Sequence, residues 1–287
     1  MNITLYSRIF RNVWAIDPAE SAAYLPMIMN FITGQSDMIL ADDSDIDANS
    51  EPYCISAFET RRYSNYNDAP KGSVAVIPIQ GIMDKDDWCG VYGTKSIARF
   101  IEQAEEHPNI IGRVLRTDSP GGNPMGTMQM ADLIARTTKP NVGFVENGGY
   151  SAAYWALAPS DEIWLSAPIA GVGSIGTYST IPDFTKFYEE KGVKIWEVYA
   201  TESTEKNAAI RALINSQDPS KLRAEVDEIN EMFLAFVREQ RAGRIDESKI
   251  KVTNGMTARG QKAIDCGLAD SIGTFADAVN RVAELAA

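Results

Sequence analysis

The chain contains a single histidine, His107, among its 287 residues. An α/β-hydrolase needs a histidine that follows its nucleophilic serine in the sequence. His107 precedes Ser151, the serine that is the candidate nucleophile, so a triad of that kind is excluded. Its neighbours, Glu-Glu-His-Pro, indicate that His107 lies in a surface loop. A serine nucleophile at Ser151 would therefore need a different base.

Cysteines, basic residues and long apolar runs are also scarce. Cys54, Cys89 and Cys266 lie far apart and match no metal-ligand spacing, which indicates reduced thiols in an intracellular protein. A formal net charge of −12 argues against a nucleic-acid-binding surface. No apolar run reaches the roughly 18 residues of a membrane span, and Arg8 and Arg11 interrupt the apolar core that a signal peptide needs. We expect a cytoplasmic protein that uses no metal, cofactor, nucleic acid or membrane.

Three regions follow one another along the chain. Residues 1–34 are predicted to form a small helical head, because Asp17-Pro18-Ala19-Glu20 supplies an N-cap and a first-turn proline, and Gly34 ends the run. Residues 35–72 are rich in Asp, Asn and Ser without sustained periodicity, which predicts an acidic, partly disordered linker. Residues 73–287 are predicted to be the main domain.

The alternation of strands and helices after residue 73 predicts an α/β fold with a largely parallel sheet. A long amphipathic helix is expected after Asp218-Pro219, and two short helices are expected from Thr257 and Thr274. The earlier segments are predicted as strands at 74–79, 110–117, 142–146, 163–166 and 193–199, and as helices at 94–106, 126–136, 151–158 and 183–190.

Ser151 lies where a predicted strand gives way to a predicted helix, within Gly148-Gly-Tyr-Ser-Ala-Ala153. A helix N-terminus offers unpaired N–H groups and a partial positive charge, which stabilise the oxyanion formed when a nucleophile attacks a carbonyl. The small neighbouring residues let a substrate backbone come close. On these residues alone, a buried helix that opens with small residues is the more frequent explanation.

Three further segments are candidates for chemistry. The turn Asp118-Ser-Pro-Gly-Gly122 presents backbone N–H groups that suit an oxyanion hole, although a plain turn is the more frequent explanation. The segment Gly171-Val-Gly-Ser-Ile-Gly176 matches G-x-G-x-x-G, but β-branched residues and a proline follow it where a dinucleotide site needs a helix, so we reject a nucleotide site. Lys206 lies in a polar stretch, where composition alone predicts an ordinary solvated lysine.

Taken in order, these segments resemble peptidase family S49, which includes signal peptide peptidase A and phage head-maturation proteases. The head, with its Arg-x-Phe-Arg and Ile-Asp-Pro segments, resembles the phage minor capsid form of the family and lacks the apolar anchor of the membrane-bound bacterial enzymes. The resemblance covers about residues 73–272 and rests on the strand at 74–81, Asp118-Ser-Pro-Gly-Gly122, Ser151-Ala-Ala-Tyr154 with 158–162 after it, Gly173-Ser-Ile-Gly176, and the run at 256–270.

The resemblance implies a ClpP/crotonase-like α/β fold with a small helical N-terminal extension. It also implies a Ser–Lys dyad, in agreement with the scarcity of histidine. Ser151 takes the position of the family's nucleophile, and Ser174 takes that of the serine that orients the lysine. The N–H groups of Gly121 and Ala152 would form the oxyanion hole.

The lysine departs from the family's pattern. The family usually places it in a glycine-containing stretch followed by Asp, whereas this chain reads Thr-Glu-Lys206-Asn. Lys206 is nevertheless the best positional match, because Lys194 lies in a predicted strand and Lys221 in the long predicted helix.

The function implied by the resemblance is that of a serine endopeptidase of phage or prophage origin. Its substrates would be capsid-assembly proteins such as scaffold or portal segments, met in the bacterial cytoplasm or within a procapsid. A closed homo-oligomer is expected, with the 1–34 head free to dock on a capsid partner or to act as a removable plug. Two alternatives stay open, a host cytoplasmic peptidase and a catalytically inactive assembly scaffold of the same fold.

Overall fold

The computed structural model of the protein describes residues 13–16, 51–56, 61–87, 90–251 and 254–287. The chain divides into two compact units. The larger unit comprises Ala15–Gly176 and Phe233–Ala287, and the smaller unit comprises Met1–Trp14 and Thr177–Met232.

The described secondary structure alternates strands and helices along most of the chain. The strands are β1 (Val13–Ile16), β2 (Tyr53–Ser56), β3 (Arg62–Tyr63), β4 (Ser73–Met83), β5 (Ile110–Gly122), β6 (Asn141–Tyr150), β7 (Glu162–Leu165), β8 (Gly171–Gly173), β9 (Tyr178–Ser179), β10 (Thr257–Arg259) and β11 (Ser271–Ile272). The helices are α1 (Thr94–Glu106), α2 (Pro124–Arg136), α3 (Ala152–Leu157), α4 (Thr185–Glu190), α5 (Ala208–Ser216), α6 (Ser220–Gln240), α7 (Gly260–Asp265) and α8 (Phe275–Leu285).

A mostly parallel sheet forms the larger unit. Strands β4, β5 and β6 are parallel neighbours at its centre. The first half of β6 pairs with β7, and its last residues pair with β8, both in parallel. Across the sheet the order is β10-β8-β6-β5-β4-β2-β3, with β2, β3 and β10 antiparallel to their neighbours. All the carboxyl ends of the central strands therefore lie at one edge, where the candidate site is found.

Both faces of this sheet are buried. Val74 and Val76 of β4 pack in one apolar cluster with residues of α8, whereas Ala75 and Ile77 pack in another with residues of α1, α2 and α3. Successive side chains of a strand point to opposite faces, so a strand covered on both sides needs apolar residues throughout. This explains why the central strands are continuous apolar runs in the sequence.

The smaller unit contains α4, α5 and most of α6, together with β9 paired to Val13 and Trp14 of β1. Within this unit Thr177 is held to α6, since its N–H donates to Asn230 Oδ1 at 3.2 Å and its hydroxyl donates to the Val226 C=O at 3.0 Å. Throughout the described ranges, no helix is both long enough and apolar enough to cross a bilayer.

The α/β prediction is confirmed, because β4 to β7 and α1 to α4 lie where strands and helices are expected. The long helix also begins as predicted. The Asp218 carboxylate accepts from the Ser220 N–H at 2.9 Å at the start of α6.

Two predicted elements are wrong. No strand forms at 193–199, where the described backbone is irregular and Val198 is 93% exposed. This segment has the residues of a strand but no neighbouring strand pairs with it in the described part of the chain. Thr257 begins β10 instead of a helix, because residues 257–259 pair with β8, and α7 starts at Gly260.

The predicted head and linker are only partly described. Within the head at 1–34, the described residues 13–16 form β1, and the predicted helix lies outside the described residues. Within the linker at 35–72, β2 and β3 join the sheet, whereas residues 35–50 lie outside the described residues. The division into head, linker and main domain stays a prediction.

Candidate active site

Ser151 stands between β6 and α3. Its backbone has φ 55° and ψ −118°, a combination that residues with a side chain rarely adopt. Two hydrogen bonds fix it there. The Ser151 N–H donates to the Gly173 C=O at 2.8 Å, and the Ser151 C=O accepts from the Trp155 N–H at 3.0 Å. The serine therefore occupies a sharp strand-to-helix turn, as the nucleophile does in a nucleophile elbow.

The Ser151 side chain has no strong partner among the described residues. Its hydroxyl lies 3.4 Å from the Gly176 C=O, near the outer limit of a hydrogen bond, and it makes no capping bond to α3. The residue is 1% exposed. A buried hydroxyl without a strong acceptor remains available to a base and a substrate.

Ser174 lies beside Ser151. Tyr150 and Gly173 are register partners at the ends of β6 and β8, and Ser151 and Ser174 are the residues that directly follow them. The bond from the Ser151 N–H to the Gly173 C=O keeps the two chain segments adjacent at this point. Ser174 also has a positive φ of 53°, and its N–H donates to the Met256 C=O at 2.9 Å. The role of this pair in catalysis stays a prediction.

Packing requires glycine close to Ser151. A Cβ atom at Gly149 would lie 2.8 Å from Leu157 Cδ1, and a Cβ atom at Gly171 would overlap the Tyr150 hydroxyl. Side chains at either position would force the neighbouring Leu157 or Tyr150 side chain to move. The small residues that the sequence shows around Ser151 thus set the close approach that holds the turn.

The helix after Ser151 is anchored in the core. All six residues of α3 are buried. The Trp155 ring stacks on that of Phe233, with centroids 4.3 Å apart and planes 5° from parallel. Because Ser151 is the N-cap of α3, this stacking also fixes the position of the serine.

The two N–H groups predicted to form an oxyanion hole differ in their hydrogen bonding. Ala152 is the first residue of α3, so its N–H has no acceptor within the helix. The Gly121 N–H donates to Ser119 Oγ at 3.1 Å, and the Ser119 hydroxyl donates in turn to the Gly81 C=O at 2.6 Å. An oxyanion would therefore compete with Ser119 for the Gly121 donor.

Lys206 belongs to the smaller unit. It lies on the turn before α5, its N–H donates to the Ser203 C=O at 3.2 Å, and its side chain is exposed. Its pairing with Ser151 stays a prediction. Lys221 and Lys194 have partners within the same unit: Lys221 Nζ lies 2.7 Å from Glu205 Oε2, and Lys194 Nζ lies 4.3 Å from the centroid of the Trp196 ring.

The amino-terminal edge of the sheet holds a separate polar network. Burial lowers the pKa of Lys139, whose ammonium donates to the Ala104 and His107 carbonyls at 2.9 and 2.8 Å. Lys139 precedes β6 whereas Ser151 follows it, and a ten-residue strand is roughly 33 Å long. Lys139 and the loop residue His107 are therefore too far away to act on Ser151.

Glu105 lies in the same network. Burial would raise its pKa, but hydrogen bonds from Thr138 and from Arg113 outweigh burial and lower the pKa to about 2. Arg113 is fully buried and lies 2.7 Å from the Glu105 carboxylate. This network supports the fold and lies apart from the candidate site.

The described residues contain no cluster of His, Cys, Asp or Glu that would hold a metal ion. The G-x-G-x-x-G segment forms β8 and an irregular stretch at 174–177, and no helix follows it directly. It therefore lacks the strand-then-helix frame of a dinucleotide site.

Two contributions to the site are not predicted from the sequence. The Ser119 hydroxyl holds the Gly121 N–H, and the Met256 carbonyl holds Ser174. Ser119 lies in the Asp118-Ser-Pro-Gly-Gly122 motif, so its hydroxyl could have been recognised from the sequence. Met256 acts through its backbone, which leaves no such signal.

The sequence is similar to those of several proteins that are named as proteases. The chain is 29% identical over 219 residues to Protease 4 of Salmonella typhi, covering 75% of this chain and 35% of that protein. It is 26% identical over 238 residues to Capsid assembly protease C of Escherichia phage lambda, covering 78% and 53% respectively. The chain thus spans between about a third and about a half of these relatives' lengths.

Among solved structures, a variant of the membrane-bound stomatin-specific protease 1510-N is 14% identical, with a TM-score of 0.46 over 75% of this chain and 84% of that one. The model of peptidase family S49 matches residues 134–287, more than half of the chain and including Ser151, Ser174 and Lys206. The chain belongs to peptidase family S49.

Proposed function

We propose that the chain is a serine endopeptidase that uses a Ser–Lys dyad, with Ser151 as the nucleophile and Lys206 as the base. The observation that carries the proposal is the backbone of Ser151, which is strained, buried and placed at the start of α3 beside Ser174. Strain of this kind persists only where the surrounding structure imposes it, and it is concentrated at active sites.

The proposed reaction follows acyl transfer chemistry. Ser151 Oγ attacks the carbonyl carbon of a peptide bond while its proton passes to neutral Lys206 Nζ. The N–H groups of Gly121 and Ala152 stabilise the oxyanion. The amine leaves with the proton from the lysine, and an ester to Ser151 remains. Water then loses a proton to the same lysine, attacks the ester and releases the acid, and Ser151 regains its proton.

Among Lys194, Lys206 and Lys221, Lys206 is the best suited to this role. The Lys221 ammonium is paired with Glu205, and Lys194 stacks over Trp196. No hydrogen bond or ion pair of the Lys206 ammonium occurs in the described part of the chain. Ser174 would hold the lysine once it reaches Ser151, because Ser174 directly follows the strand end that is paired with the residue before the nucleophile.

The proposed substrates are proteins of a phage capsid under assembly. The support is the relative from phage lambda, whose name states capsid assembly, and the proposed location is the bacterial cytoplasm or a procapsid. A digest of candidate scaffold and portal proteins, read by mass spectrometry against the Ser151→Ala variant, tests this substrate class. Cleavage of host peptides without cleavage of capsid proteins would favour the host peptidase instead.

We also propose a homo-oligomer. In the smaller unit the neighbouring apolar residues Ile195, Trp196 and Val198 are 62%, 75% and 93% exposed, and we propose that a second copy of the chain covers them. Light scattering at micromolar concentration should give a mass of several chains. A monomer with full activity would refute this part of the proposal.

The dyad is tested by labelling with a fluorophosphonate and by peptide hydrolysis. Ser151→Ala and Lys206→Met should each lower the rate by at least about 10³-fold, since members of a catalytic unit are not additive. Lys221→Met, which removes a comparable exposed lysine, is the matched control and should retain activity. If Lys206→Met remains active and Lys221→Met is dead, the base is misassigned.

A second candidate function is that of an inactive scaffold. The exposed Lys206 and the Gly121 N–H held by Ser119 favour it, because both groups would have to change partners for catalysis. Absence of fluorophosphonate labelling in the folded wild-type protein would support the scaffold.

A further inference from the structure

We propose that the chain's own residues Ala15 and Ile16 occupy the place of a substrate backbone beside Gly121, so that β1 competes with peptide substrates. The proposal rests on the proposed function of Ser151. It concerns the backbone of β1 alone.

The two edges of β5 show where β1 lies. On one edge, Ile82 of β4 is the register partner of Gly121. On the other edge, Ser119 is paired with Gly149 of β6. Two residues further along β5, Gly121 is paired with Ile16, and Gly122 with Ala15, in antiparallel register. Since β4 takes one edge at Gly121, Ile16 takes the edge that β6 occupies at Ser119.

This position is next to Ser151. A continued β6 would place residue 151, two residues after Gly149, opposite Gly121. The strand instead ends at Tyr150, and Ser151 turns into α3 with its positive φ. Ile16 fills the vacated place, one strand spacing of about 4.8 Å from Gly121. The backbone of β1 thus lies where the proposed nucleophile and oxyanion hole would meet an extended peptide.

The chemistry of this edge suits any extended peptide. Strand addition uses the N–H and C=O groups of the main chain, which every residue other than proline supplies. Gly121 has no side chain and a φ of 99°, so nothing on it excludes a second backbone. An antiparallel substrate strand would need the same backbone groups of β5 that β1 uses, so the two strands cannot bind this edge at the same time.

The first test uses proline in the full chain. Ala15→Pro and Ile16→Pro are made separately, because N–H groups in an antiparallel pair alternately face the partner and face away. At least one variant should raise the rate of fluorophosphonate labelling of Ser151 by about fivefold, the factor that corresponds to one net backbone hydrogen bond. Peptide hydrolysis should rise with it.

The matched control is Glu247→Pro. Glu247 is exposed and follows Asp246, whose C=O accepts from the Lys249 N–H at 3.0 Å, so it occupies the turn position that proline favours. This variant should label at the wild-type rate. Equal and measurable labelling rates in wild type, Ala15→Pro and Ile16→Pro would overturn the proposal.

The second test needs no catalysis. In full-length Ser151→Ala protein, hydrogen exchange of the amides at 13–16 is followed by mass spectrometry with and without an excess of an isotope-labelled peptide of residues 10–21. We expect protection that the peptide removes. Unprotected amides without peptide, or protection that saturating peptide leaves intact, would overturn the competition. If no protein that retains Ser151 is labelled, the proposed function is refuted. The competition by β1 is still tested, because hydrogen exchange does not depend on catalysis.

Discussion

The strain at Ser151 makes a prediction that compares two substitutions, Ser151→Ala and Ser151→Gly. Both remove the hydroxyl and should abolish hydrolysis. They differ in one methyl group, which alanine must carry at φ 55° and ψ −118° and glycine does not. The difference in the free energy of unfolding between the variants therefore measures the strain on the nucleophile's backbone.

The magnitude follows from three contributions. A side chain in a sparsely populated backbone region costs about 1–3 kcal/mol, and we take about 3 because a ψ of −118° lies outside the left-handed helical region. Glycine loses about 0.7 kcal/mol through the greater freedom of the unfolded chain. It also loses about 0.8 kcal/mol through one buried methyl group. The glycine variant should be more stable than the alanine variant by about 1.5 kcal/mol.

The assay is thermal and urea unfolding of both purified variants under the same conditions. The Tm of Ser151→Gly should exceed that of Ser151→Ala by roughly 3–6 °C. A matched pair at an unstrained site gives the baseline: Ala153→Gly, within α3, should lower the Tm. If Ser151→Gly is the less stable member of its pair, the turn carries no strain and the argument for an imposed site geometry fails.

Three further predictions concern Ser174, Glu105 and Phe233. Ser174→Ala should lower turnover without abolishing it, and an unchanged rate and pH profile would reduce Ser174 to a turn residue. Wild-type protein should lose stability between about pH 4.5 and pH 2, because the lowered pKa of Glu105 stabilises the fold above that range and this benefit disappears as the carboxylate is protonated. Glu105→Gln should lose less stability over the same range. Plots of the free energy of unfolding against pH, from urea titrations, that run parallel for the two proteins would contradict this. Phe233→Ala should cost about 3–5 kcal/mol through the lost packing on Trp155, whereas the adjacent, exposed Met232→Ala should change stability by less than about 0.5 kcal/mol.

Much of the fold could be predicted because its signals are local. Strands β4 to β7 are short apolar runs, α6 follows an Asp-Pro start, and Thr274 caps α8 through a capping box with Asp277. The match to the family S49 model confirms the family that the motifs imply. The position of Ser151 at the start of a helix could be predicted for the same reason, since small residues and a change of period mark it.

The errors arise where the outcome depends on partners. Residues 193–199 have strand-forming side chains, yet a strand forms only when another strand offers hydrogen bonds, and none is found among the described residues. At Thr257 the error is the reverse one: a helix is predicted, but residues 257–259 form a strand because they pair with β8. The apolar run Tyr53-Cys-Ile within an acidic region was a signal for β2 that the surrounding charge obscured. Ser174 has a positive φ and is hydrogen-bonded to the distant Met256, and no local pattern encodes that contact.

The bond between Ser174 and Met256 has a consequence for the order in which the protein is made. Synthesis proceeds from the N-terminus, and domains begin to fold as they emerge from the ribosome. Ser151 and Ser174 emerge well before Met256, and β10 follows Met256 directly. A nascent chain that ends before these residues lacks both the hydrogen bond to Ser174 and the strand that closes the edge of β8. The proposed nucleophile is therefore translated long before Met256 and β10, so the growing chain lacks these contacts of the candidate site until late in synthesis.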